Sequence, residues 1–310
     1  MNVPTYIYHA DWGSCPAKQW LARANRKEGR YFASAPACIT DCSSLVQSIL
    51  NEIGTAGSAI LGFDFPIGLP AFYAQSKGIQ QFKSFLALAD SKEWCDFYNL
   101  ATNAAEISLS RPFYPYRPGG TKRAHLTRAL QVERFDDLLR ECEKAREGRR
   151  AASPLFWTLG PKQVGRAAIC GWRKVLAPAL RDHSESVSFW PFDGSLSEIV
   201  RPGRLVILET YPADYYRLLF PGTLKSKTKR ANRARVAKDI FAWSQKSSVD
   251  FDQKLVSEVW SGFVNDDAFD ATVGLFGMIE SVRCPPEELE PTLPAALTVE
   301  GWIFGLENHH

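Results

Sequence analysis

Residues 58–63, Ser-Ala-Ile-Leu-Gly-Phe, carry almost no polar side chain, and the run stops at Asp64 before Pro66, Gly68 and Pro70. A strand with one wet face alternates apolar and polar residues, whereas one apolar throughout must be covered on both faces. The segment is therefore expected as a central strand of a sheet with helices on both sides. Residues 204–208 repeat the pattern, ending at Glu209 and breaking at Pro212. Together these two runs point to an α/β architecture.

The rest of the chain fits around them. Residues 5–10, 19–24 and 30–35 are rich in strand formers, and the polar stretch Asn25–Gly29 separates the last two, which reads as an antiparallel three-strand meander. Leu45, Val46, Ile49, Leu50 and Ile53 recur at helical spacing up to Gly54, after capping side chains at Thr40–Ser43. Residues 71–200 are expected to form a large helical insertion with Pro-rich breaks, within one domain spanning 1–310. A helix is expected at 215–219, a basic helix at 224–245, and a last helix from Asn265-Asp266-Asp267 through Ile279.

Overall composition says little about partners: 37 basic against 34 acidic residues leave a net charge of +3. The distribution says more. Residues 111–150 hold 11 Lys/Arg against 6 Asp/Glu, and from 250 onward there are 12 acids and 2 bases. A basic middle is thus set against an acidic end. The seven cysteines are scattered and lack any CxxC pair, which favours a reducing compartment over a disulfide framework or a zinc site. There is no basic start followed by an apolar stretch, nor a run of roughly 18 apolar residues, so the chain is expected to be cytoplasmic and to have no membrane partner. The final histidines have the look of a tag and are given no role.

The chemistry is carried by acids at strand ends: Asp11, Asp64 and Glu209. Loops and sites gather at such ends in open α/β sheets. Asp267 and Asp270 share one face of the last helix, and Asp270 sits among Ala268, Phe269, Ala271 and Val273, where an unpaired carboxylate is costly. Asp266 and Asp267 also suit the positive end of the helix dipole. Carboxylates gathered at one sheet edge repel unless cations neutralise them, and hard oxygen ligands suit Mg²⁺ or Mn²⁺. Two such ions, roughly 4 Å apart, activate water and stabilise a leaving oxygen in phosphodiester cleavage.

The segments His9-Ala-Asp-Trp-Gly-Ser14, Gly62-Phe-Asp-Phe-Pro-Ile-Gly-Leu-Pro70, Glu209-Thr-Tyr-Pro212, Asp266-Asp-Ala-Phe-Asp-Ala271 and Glu300-Gly-Trp-Ile303 resemble the family called domain of unknown function 429, described as predicted RNase H-like nucleases. The Asp267-x-x-Asp270-Ala ending is also similar to that of RuvC-type resolvases. The resemblance implies an RNase H-like mixed five-stranded sheet flanked by helices, and a metal-dependent nuclease acting on DNA or RNA. It implies that Asp11 bridges two ions, that Asp64 is the central-strand ligand, and that Asp267 or Asp270 completes the site. Glu209 stands on a later strand than the usual second acid.

Phosphate contacts dominate nucleic-acid affinity, so cationic surface is expected near such a centre. Lys229, Arg230 and Arg233 of the basic helix are one candidate surface; Lys162 and Arg166, in a Gly-Pro turn leading into a helix beside Phe156 and Trp157, are another. Lys18 lies seven residues beyond Asp11. His9 is expected in the core or the site. A different class of function is suggested by Asp11-Trp-Gly-Ser14, which is similar to the phosphate turn of actin-like ATPases and sugar kinases; this chain has one meander and no good second turn. A third reading is a non-catalytic nucleic-acid or protein adaptor on the same scaffold. The chain has no GxSxG, GxxxxGK[ST], GxGxxG or HExxH motif.

Overall fold

The computed structural model describes residues 3–115, 122–159, 163–222 and 224–306. Two compact units divide the chain: one takes the residues up to Asp64, Glu185–Glu290 and those from Ile303, and the other takes Phe65–Ser184 and Pro291–Trp302. The segment 71–200, expected as a helical insertion, is split between them at residue 184.

The first unit carries the sheet. In chain order its main elements are β1 (Tyr6–Trp12), β2 (Gln19–Lys27), β3 (Arg30–Cys38), α1 (Leu45–Ile53), β4 (Ala59–Phe63), β5 (Val187–Phe189), β6 (Leu205–Glu209), α2 (Pro212–Leu219), α3 (Arg230–Arg235), α4 (Ala237–Lys246), β7 (Val249–Phe251), α5 (Gln253–Ser261) and α6 (Asp266–Ser281), with single-turn helices between some of them. The strands run in the order β5-β6-β4-β1-β2-β3-β7. β2 is antiparallel to both β1 and β3, while β1–β4, β4–β6, β5–β6 and β3–β7 are parallel pairs. The sheet is therefore seven-stranded, not five-stranded as expected. β5 and β7 are three residues each and sit at the two edges, too short to show a period of two against their flanks.

β4 has the burial its composition requires, with every residue covered. Helix α6 lies over β1, β2 and β3, and two glycines let it approach. A Cβ on Gly274 would meet the His9 ring at 2.1–2.3 Å, and one on Gly62 would meet Met278 Sδ at 2.6 Å. Asn265 caps this helix, its side chain accepting from the Ala268 N–H at 2.7 Å.

The expected basic helix at 224–245 is instead two helices, α3 and α4, preceded by non-helical chain through Lys229. Val236, with ψ near 3°, breaks the helical path between them.

In the second unit, short helices Ala71–Ser76, Phe82–Leu88 and Arg123–Ala129 precede Val164–Gly171, which continues through a π turn, Trp172–Leu176, into Ala177–Asp182. Tyr73, Phe82, Phe85, Phe97, Phe113, Phe156 and Trp172 form its aromatic core. Much of the chain's aromatic content is spent there. All seven cysteines are thiols. Among the described residues no helix is long and apolar enough to cross a membrane.

Candidate active site

Parallel pairing aligns the ends of β1 and β4: Ala10 is the register partner of Phe63, so Asp11 and Asp64 follow at neighbouring positions on the same sheet face. Asp11 is 7% exposed. The Trp12 backbone N–H donates to Asp64 Oδ1 at 2.7 Å. Burial is the main force raising Asp64, to about 7, with the Trp12 N–H opposing it. Burial also pushes Asp11 well above the ordinary carboxylate range, helped by the charges of Asp64, Asp270 and Asp267 and opposed by Lys227.

The third acid arrives from above. Asp270 lies in the second turn of α6, 3% exposed. The Tyr216 hydroxyl donates to its Oδ1 and the Lys227 ammonium to its Oδ2. Burial raises Asp270, and these two donors pull it back. Burial works against the Lys227 charge, yet Asp270, Asp11 and Asp64 outweigh it and hold the ammonium above its usual value. The Tyr216 phenol is pushed well up, by burial first and then by Asp270. Asp267, one turn earlier, is only partly buried; burial and Asp266 raise it, while Lys18 and Lys227 oppose them. Asp11, Asp64 and Asp270 thus come together around one lysine, with Asp267 at the margin.

Glu209 goes elsewhere. It is the register partner of Phe63, which pairs with Ala10, and this row points to the sheet face opposite the row of Asp11 and Asp64. Its carboxylate is thereby turned away from the cluster, and its backbone carbonyl accepts from the Phe304 N–H at 2.8 Å. The residue following it, Thr210, is the one on the acid side. His9, two residues before Asp11, is fully buried with both ring nitrogens engaged: Nδ1 with the Ala271 carbonyl at 3.0 Å and Nε2 with Thr210 Oγ1 at 2.8 Å. It braces β1 against α6 and has no nitrogen left for a ligand.

The expected phosphate contacts separate. Lys229 and Arg230 are exposed at the start of α3, with Arg230 Nε donating to the Ser261 carbonyl at 2.7 Å. Arg233, expected on an exposed face, is 3% exposed, and its guanidinium donates to the carbonyls of Gly262, Lys227 and Phe263. It is a structural clamp between the Lys227 segment and the turn before α6. Arg166 lies on the helix Val164–Gly171 of the second unit, and Lys162 falls outside the described residues.

Nothing in the sequence marked Tyr216, and Lys227 stood out only as part of the expected basic helix at 224–245. No spacing links either to Asp270, since they lie 54 and 43 residues away along the chain. Among the described residues no three His, Cys, Asp or Glu side chains already stand arranged as a metal cage. No known protein family, curated protein or solved structure matches this chain.

Proposed function

We propose that the protein is a metal-dependent nuclease that hydrolyses phosphodiester bonds of DNA or RNA at the Asp11–Asp64–Asp270 cluster. The observation that carries this reading is the convergence of three carboxyls, those of Asp11 and Asp270 buried and that of Asp64 half-buried, from two adjacent parallel strands and one crossing helix, around a single lysine. The inner strands β3-β2-β1-β4-β6, an antiparallel meander followed by parallel additions beside β1, support an RNase H-like core, as does the sequence resemblance.

The donor set fits a hard divalent cation: its ligands are all carboxylate oxygens, and their charge exceeds what one ammonium balances. Asp11, Asp64 and Asp270, with Asp267 beside them, would hold two Mg²⁺ or Mn²⁺ ions, whose chemistry there is to acidify water and neutralise charge on the scissile phosphate. The protein's own contribution is position. Trp12 N–H orients Asp64, Tyr216 orients Asp270, and the His9 bridge sets the distance between β1 and α6. Lys18, Lys229 and Arg230 supply cationic surface for a phosphate backbone.

The phosphotransferase reading finds less support, because the Gly13 N–H of the Asp11-Trp-Gly-Ser14 turn is already used on the Lys18 carbonyl at 2.9 Å. Labelled single- and double-stranded DNA and RNA, incubated with Mn²⁺ and with EDTA, test the proposal. Cleavage that needs both the ion and Asp11 is expected. Nucleic-acid binding without cleavage, unchanged in Asp270→Asn, would instead identify an adaptor.

A further inference from the structure

We propose that Lys227 is a built-in stand-in for the divalent cation: its ammonium holds Asp270 when no ion is bound, and the ion displaces it. The inference rests on the metal-dependent reading above and adds to it a competitor within the chain.

The two partners of Asp270 are built differently. Tyr216 comes from helix α2 and stacks on Phe269 with ring centroids 6.1 Å apart, so its hydroxyl is fixed beside the acid. Lys227 comes from the non-helical chain between α2 and α3, and its side chain is 42% exposed against 4% for Asp270. The backbone of Lys227 is nevertheless pinned, because Arg233 Nη1 donates to its carbonyl at 2.6 Å. The four-carbon stem can therefore swing its ammonium into water while the main chain stays in place. The acid cannot follow, being anchored in a sixteen-residue helix that His9 ties to β1.

Charge decides the exchange. Asp11 and Asp64 attract the Lys227 ammonium along with Asp270, so one positive charge serves three carboxyls. A divalent ion brings twice that charge as a compact point and offers more coordination positions. A lysine is an adequate but weaker occupant, and it relieves the repulsion that three bare carboxylates would suffer in the metal-free protein. Its removal is thus expected to have opposite effects on metal-free stability and on metal affinity. A lysine serving only as a structural salt bridge would lower both.

Calorimetric titration of the metal-free full chain with Mn²⁺ tests this. Lys227→Met and Lys227→Gln are expected to bind Mn²⁺ at least roughly tenfold more tightly than wild type, while Lys225→Met is unchanged. Lys227→Gln keeps a hydrogen-bond donor for Asp270 and serves if the methionine variant fails to fold. In EDTA both variants should melt below wild type, and Mn²⁺ should restore them. In an Asp270→Asn background the gain from Lys227→Gln should vanish. If both Lys227 variants bind Mn²⁺ no more tightly than wild type, the inference is overturned. Tighter Mn²⁺ binding with no cleavage of any nucleic acid would uphold the competition and overturn the nuclease reading. No Mn²⁺ binding by any variant would overturn both.

Discussion

The Trp12 backbone N–H donates to Asp64 Oδ1 at 2.7 Å, so the end of β1 is fastened to the end of β4 by one of the acids of the site. Asp64 therefore has two separable properties, an acceptor oxygen and a charge. Asp64→Asn keeps the acceptor and is expected to fold with at least wild-type stability while losing cleavage. Asp64→Leu leaves the Trp12 N–H without that acceptor and should be about 1–2 kcal/mol less stable than Asp64→Asn by urea denaturation.

Asp11 should show function opposed to stability. Its carboxyl is raised above its unfolded value of 3.8, mainly by burial, so ionising it costs the folded state more than the unfolded one. That contribution to stability is intact below the unfolded value and is lost as pH rises toward the folded one. Asp11→Asn removes the penalty. In EDTA at pH 8 it is expected to be more stable than wild type, with a flatter pH profile above pH 4 and no cleavage in Mn²⁺. A less stable Asp11→Asn protein would contradict this account of the cluster.

His9 runs the other way with pH. Its Nδ1–H donates to the Ala271 carbonyl and its Nε2 accepts from Thr210, an arrangement that only a neutral ring can make. Burial depresses it from 6.5 to about 3, with the Ala271 bond opposing the shift. Its stabilising effect is complete above 6.5 and lost as pH falls toward 3. By pH 4 the loss amounts to about 3 kcal/mol. Melting temperatures of wild type and His9→Asn should therefore converge between pH 7 and pH 4, because the variant has no ring at position 9 to take up a proton there.

Gly274 admits no side chain. A Cβ would lie 2.1–2.3 Å from the His9 ring, which is held at both nitrogens and has nowhere to turn. Gly274→Ala is expected to destabilise the protein by about 3 kcal/mol, as overpacking of a rigid contact does. Because α6 carries Asp270, cleavage should fall even at temperatures where the variant remains folded.

In the second unit Arg140, fully buried, donates through Nε and Nη2 to Glu143 Oε1 at 3.0 and 2.8 Å and through Nη1 to the Glu300 carbonyl at 2.9 Å. Arg140→Met takes the guanidinium away from the Glu143 carboxylate and should cost about 3–5 kcal/mol in chemical denaturation. Arg140→Met combined with Glu143→Leu should recover most of that loss, since the buried acid leaves together with its base.

Legibility in the sequence followed element length and register. Five strands were visible because each has at least five residues of strand-forming or wholly apolar sequence, whereas β5 and β7 are three-residue edges that pair only because a neighbour is already in place. Asp270 drew notice as a carboxylate on an apolar helix face, and Asp11 and Asp64 as acids closing apolar runs. Glu209 satisfies the same description, yet its pairing with Phe63 turns it to the other face. Arg233 looked like its basic neighbours until the turn at Gly262 and Phe263 closed over it.

By itself the sequence determined which segments must be buried and where their polar ends fall, because hydrophobic periodicity and chain breakers act over a few residues. Tertiary structure alone decided which of those ends meet. Whether an acid at the end of a strand faces α6 or the opposite side depends on a one-residue register, and the lysine that answers Asp270 comes from 43 residues away. Local pattern cannot encode such choices, since they are made by the packing of whole elements. The isolated apolar run at 58–63 called for cover on both faces; only the folded chain assigns α6, with Asp270, to the face where Asp11 and Asp64 wait.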